Sequence, residues 1–167
     1  MDDLLRIAEI ACEAAMRAGA HFADASADRG RGLSVVMERN AIKSSDARTW
    51  ASVSVRAFVA GGTGWCSVST TSDEAARQAG QQAAELAKAA EPDPDFVDLV
   101  IPAPYPEVGG LYDPKVAALE GPELARWVTQ SIDSALGVTA EALVAGGAAS
   151  LQAPYRGQVR RPRGGRL

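Results

Sequence analysis

The side chains that could do chemistry in this chain are few. There is one histidine, His21, and there are two cysteines, Cys12 and Cys66. A catalytic zinc site needs three protein ligands around an open position, commonly with two imidazoles at helical spacing. Only His21, Asp24 and Cys12 can be drawn as such a set, and they straddle the end of a helical pattern with no second imidazole nearby. The same histidine would have to be the general base for any nucleophile such as Ser67 or Cys66, and no Gly-x-Ser-x-Gly turn is present to present a serine. Gly61-Gly62-Thr63-Gly64 lacks the Gly-Lys-Ser/Thr ending of a phosphate loop and leads into a strand pattern, so it reads as a hairpin. Asp93 and Asp95 sit among prolines, where nothing would desolvate them enough to tune their pKa values. No catalytic, cofactor-binding or metal residue is assigned, and both cysteines read as small core residues.

The elements that carry these residues follow from periodicity. Leu4, Leu5, Ile7, Ala8, Ala11, Cys12, Ala15 and Met16 form one stripe of a helix over about Asp2 to Ala18, stopped by Gly19. Phe22 to Asp28 and Leu33 to Arg39 read as two strands joined by a turn at Arg29-Gly30-Arg31-Gly32. From Thr49 to Val59 the alternation is cleaner: Ala51, Val53, Val55, Ala57 and Val59 face one way, and Trp50, Ser52, Ser54, Arg56 and Phe58 the other. Glycines at the following hairpin supply positive φ, and Trp65 to Thr70 resumes a strand. Thr71 with Glu74 is a capping box opening an alanine-rich helix from Asp73 to Ala90.

Prolines hold 91–112 extended, and that segment is expected to lie across the sheet. A third helix starts at Gly121-Pro122-Glu123, with Leu124, Trp127, Val128, Ser131, Ile132, Ala135 and Leu136 on its apolar stripe, and Gly137 ends it. Strand character begins again between Val138 and Gln152. From Pro154 to Leu167 there are five arginines and no acids, which predicts a disordered basic tail. The expected organisation is therefore one domain over 1–153 and a tail over 154–167. Its fold class is α+β, a mostly antiparallel sheet with helices packed on one face.

Composition excludes several classes. A net charge of −4 argues against a nucleic-acid footprint. No run of about 18 apolar residues occurs, and Asp2 and Asp3 stand where a signal peptide would be basic, so a cytoplasmic protein with no membrane partner is expected. Hydrophobic residues make up 47% but aromatics only 5%, with much alanine, which predicts a thin core in need of a partner.

The order of these features resembles the TldD/PmbA family, also called modulator of DNA gyrase. The residues carrying the likeness are Glu38, Ser44 and Ser45, then Ser54-Val55-Arg56-Ala57-Phe58, Gly61-Gly62-Thr63-Gly64-Trp65, and the capped helix at Thr71. Tyr105-Pro106-Glu107-Val108-Gly109-Gly110-Leu111-Tyr112-Asp113, followed by the helix around Leu124 to Leu136, is similar as well, so the likeness covers about Leu4 to Ala153. The resemblance implies the amino-terminal domain of a zinc-dependent peptidase assembled from two related subunits. The family's metal is held by a His-Glu-x-x-x-His helix in its second half, a pattern this sequence does not contain. Zinc is thus expected in the full-length family and no cofactor in this chain. The expected partners are a homologous subunit or a catalytic half, and an extended peptide substrate. The expected role is a scaffold that helps admit the peptide, with truncation before the catalytic region explaining the tail. The alternative is a stand-alone, non-enzymatic peptide-binding module or inactive partner subunit.

Overall fold

A computed structural model of the chain describes residues 2–97, residue 99 and residues 108–161. The elements run α1 (Asp2–Arg17), β1 (Phe22–Glu38), β2 (Ala41–Val59), β3 (Gly62–Val68), α2 (Asp73–Ala89), α3 (Pro114–Ala117), α4 (Gly121–Val138) and β4 (Gly147–Arg161). The strands make one four-stranded antiparallel sheet in the order β3-β2-β1-β4, with helices packed against it. This is the α+β class that the periodicities predict. The chain divides into two compact units: the first holds residues 2–29, 50–97, 99 and 154–161, and the second holds 30–49 and 108–153.

In the first unit, α1 and α2 cover the apolar face of the sheet. Ala23, Ala25 and Ala27 of β1 and Val53, Val55 and Ala57 of β2 are buried against Leu4, Ile7, Ala11, Cys12 and Ala15 of α1 and Ala76, Ala79, Ala83 and Ala87 of α2. Alanine brings little area per residue, so the layers gain by approaching closely, where dispersion contacts are densest. Glycines make that approach geometrically allowed. A Cβ at Gly64 of β3 would stand 2.1 Å from Ala83 O of α2, and one at Gly80 of α2 would stand 2.2 Å from Ala11 O of α1. The thin core expected from composition is therefore compensated by backbone proximity. β2 and β3 pair antiparallel from Val53↔Val68 to Val59↔Gly62. Ala60 (φ 50°) and Gly61 (φ 87°) form the turn. Of the four residues read as the hairpin loop, only Gly61 supplies positive φ; Gly62 and Gly64 are in β3, where they admit α2.

In the second unit, α4 lays Leu124, Val128 and Ile132 on Val35 of β1 and Leu151 of β4, with Leu33, Met37 and Leu136 at the margin. Arg31 ties the start of α4 in place. Its Nε and Nη2 donate to Ala117 O at 3.2 and 2.6 Å, Nη2 also donates to Leu119 O, and Nη1 lies 3.3 Å from Glu120 Oε1. Ala117 is the last residue of the short helix α3, which no periodicity announced, and Leu119 lies just beyond it.

Several expectations are corrected. The turn placed at Arg29–Gly32 does not exist: β1 is continuous from Phe22 to Glu38, and the reversal comes at Arg39 and Asn40, both with positive φ. Gly32 is there because the Arg48 side chain and Leu151 O crowd its α-carbon. The cap of α2 is Ser72, whose Oγ accepts from Ala75 N at 3.2 Å, one residue beyond Thr71. Gly137 is inside α4, not beyond its end. Pro154–Arg161, expected as disordered tail, are strand β4. Gly157 lies against the α1 backbone, where a Cβ would meet Leu5 N at 2.5 Å, and Val159 packs on the core. Arg156 reaches Asp28 at 2.5 Å. Alternation hides the apolar contacts of this strand among arginines, so composition alone misread it. The expectations for Tyr105–Glu107, for most of the prolines of 91–112 and for 162–167 fall outside the described residues.

Candidate functional site

The face of the first unit turned away from α1 and α2 collects the polar and aromatic side chains that β1 and β2 expose by alternation. Arg56 is fixed there by Asp24: its Nη2 and Nε lie 2.5 and 3.3 Å from the two carboxylate oxygens. Its guanidinium also lies 5.2 Å from the centroid of the Phe58 ring. Beyond α2 the chain returns over this face. Asp93 N donates to Gly61 O at 2.9 Å, and Phe96 stacks on Phe58 with centroids 4.4 Å apart and meets Phe22 edge-on at 5.7 Å. The proline segment was expected to cross the sheet, and its described residues Asp93 to Phe96 do so. Trp65, opposite Arg56 in the ladder, is 64% exposed, so this face is only partly covered.

The structure does not bring the weighed zinc set together. Cys12 is buried between α1 and the sheet, with its Sγ 3.7 Å from Val159 O. Asp24 is on the opposite face of β1, taken up by Arg56, and His21 Nδ1 accepts from Ala60 N at 3.5 Å. Among the described residues no three His, Cys, Asp or Glu side chains are placed to hold a metal ion. Cys12, His21 and Asp24 are therefore not placed as a zinc ligand set. Cys66 and Ser67 alternate across β3: the Cys66 thiol lies 3.4 Å from Gln82 Oε1 and burial pushes its pKa up, while Ser67 Oγ hydrogen-bonds Ser54 Oγ at 2.9 Å. Neither has a base beside it. Asp93 and Asp95 share a turn, with Asp95 N donating to Asp93 Oδ1 at 2.9 Å.

What the sequence reading missed is the Asp24–Arg56 pair and the Phe58–Phe96 stack. A signal existed for both. Two opposite charges sat on polar faces of adjacent apolar strands, and an aromatic, Phe96, stood at the start of a proline-rich stretch.

A second feature is an open sheet edge. β3 pairs with β2 only from Val53 onward, so Ala41–Ser52 of β2 extend past it, and 41–49 are exposed.

Residues 23–87 match the family described as PmbA/TldA metallopeptidase domain 1. Among solved structures, TldE from Thermococcus kodakarensis superposes with a TM-score of 0.86 at 23% identity over 92% of this chain. A protein from Thermotoga maritima described as a modulator of a DNA gyrase gives 0.73 at 12% identity over 93%, and one from Bacteroides thetaiotaomicron gives 0.64 at 18% over 96%. These likenesses establish the fold. The chain spans 34%, 34% and 39% of the length of those three proteins. No curated protein matches the sequence. No helix among the described residues is long and apolar enough to cross a membrane.

Proposed function

We propose that this domain is the amino-terminal scaffold of a TldD/PmbA-type zinc metallopeptidase, working with a catalytic region or homologous subunit that supplies the metal and helping to admit an extended peptide. The observation that carries the reading is the first-domain match over 23–87 within a fold shared across 92% of the chain. The donor set of Cys12, His21 and Asp24 is scattered, so the proposal assigns the chemistry to that partner. The two cysteines are free thiols, which suits a reducing compartment, and we place the domain in the cytoplasm.

Replacing the first domain of an active family metallopeptidase with residues 2–161 tests this. Chelator-sensitive cleavage of an unstructured peptide is expected to survive in the chimera. A chimera that folds and loads zinc but does not cleave would sink the proposal.

The overhanging edge of β2 favours a second reading, a non-enzymatic module that pairs a peptide strand against Ala41–Ser52. A proline at a position of Ala41–Ser52 whose N–H faces the edge removes one edge donor, and only this second reading predicts lost peptide binding by the isolated chain.

A further inference from the structure

We propose that the polar face of the first unit holds a carboxylate-anchoring cleft, in which Arg160 and Arg56 take the carboxyl end of a peptide or a free N-acyl amino acid of the same chemistry. The cleft measures about 420 Å³ and opens between the sheet and the segment that crosses it. That volume lies within the range of small-ligand sites. Its apolar wall is the Phe58–Phe96 stack, with ring planes 8° apart, extended by Leu99. Phe58 itself is covered by Phe96 and by the Arg56 guanidinium, so the part-exposed Phe96 is the ring left to receive an aromatic or aliphatic side chain.

The charges around the cleft are unequal. Arg56 is balanced by Asp24 at 2.5 Å. Arg160, half-buried on β4, has no carboxylate within ion-pair distance among the described residues. A guanidinium held partly out of water, with no counter-ion among the described residues, favours a carboxylate, which it can bind through two parallel hydrogen bonds.

Asp93, which also lines the cleft, narrows the choice of ligand. Its backbone N–H is held by Gly61 O and its Oδ1 accepts from Asp95 N, so the carboxylate is fixed at the rim. There it repels a second acid and accepts from an amide N–H. One carboxylate, one neighbouring amide N–H and one apolar side chain together describe the last residue of a peptide.

This inference stands on the cleft and not on the peptidase reading, and its test measures no cleavage, so the two fail separately. Calorimetry of the 167-residue chain with N-acetylphenylalanine and with its amide reads the anchor directly, and a nonapeptide ending in free or amidated phenylalanine separates the two sources. The free acid, in the small ligand or in the nonapeptide, is expected to bind at least about tenfold more tightly than its amide, the worth of one charge-assisted hydrogen bond. Arg160→Met is expected to erase that preference with the urea midpoint unchanged, and Arg160→Lys to restore part of it. Equal affinities for acid and amide, no binding by any probe, or unchanged binding by a folded Arg160→Met chain would each overturn the proposal.

Discussion

The two units bury their faces by opposite means. In the first, alanine and glycine dominate, and stability comes from backbones brought within contact of one another across α1, α2 and the sheet. In the second, one helix sets three large side chains, Leu124, Val128 and Ile132, on Val35 and Leu151. Along α2, whose buried residues are all alanine and glycine, the first arrangement has little to lose by truncation and much to lose by addition; on α4 the second is the reverse.

Adding atoms should therefore separate them most. Gly64→Val would drive its Cβ into Ala83 O and Ala87 N, backbone atoms of a helix that cannot swing aside. Overpacking of that kind is expected to cost more than about 4 kcal/mol, a large share of the stability of a domain. At Gly147 in the second unit a new Cβ would meet Met37 Cε at 2.4 Å, the far end of a flexible thioether. Gly147→Ala should stay within about 1 kcal/mol. Urea unfolding of both variants decides; equal losses would erase the distinction.

Removing atoms should reverse the ranking. Leu124, 1% exposed, is expected to cost about 3 kcal/mol as Leu124→Ala through lost transfer energy and an unfilled cavity. Ala79→Gly at the centre of α2 has only a methyl to lose and should cost about 1 kcal/mol. Arg31→Met comes between these two. It leaves Ala117 O and Leu119 O without their donor and is expected to cost about 2 kcal/mol, with the change read from Trp127 fluorescence on α4.

The same contrast explains how much was legible in the sequence. Periodicity located α1, α2, α4 and the β2–β3 hairpin because each has a one-sided apolar pattern over several turns or alternations. It failed where small residues served proximity instead of conformation. Gly30 and Gly32 looked like a turn, yet β1 runs through them and Gly32 makes room for Arg48 and Leu151 O. It failed again at β4, whose buried positions include Gly157, a residue with no side chain to betray an apolar face. The polar face was readable only in part. Arg56 and Phe58 were placed on it by alternation, but their partners Asp24 and Phe96 come from positions 32 and 38 residues away, and no local pattern links them.

The smallest expected effect concerns the charged seam between the helices of the first unit. Arg6 of α1 forms a two-pronged pair with Asp73 at the start of α2, with Nη1–Oδ2 at 2.8 Å and Nη2–Oδ1 at 2.9 Å. The Arg6 guanidinium holds the Asp73 carboxyl below its usual range, first by hydrogen bonding and then by charge. A carboxyl whose folded pKa is depressed takes up its proton more readily in the unfolded chain. Its contribution is therefore complete above the ordinary aspartate value, near about 4, and is lost as pH falls through the lower folded value. Both partners are solvent-exposed, so screening keeps the contribution small. Arg6→Gln should leave the fold intact and flatten the decline of the urea midpoint between about pH 5 and pH 3. Since α1 and α2 are otherwise joined by alanine contacts and Gly80, a variant whose acid profile overlays that of the parent chain would show that close packing alone sets their alignment.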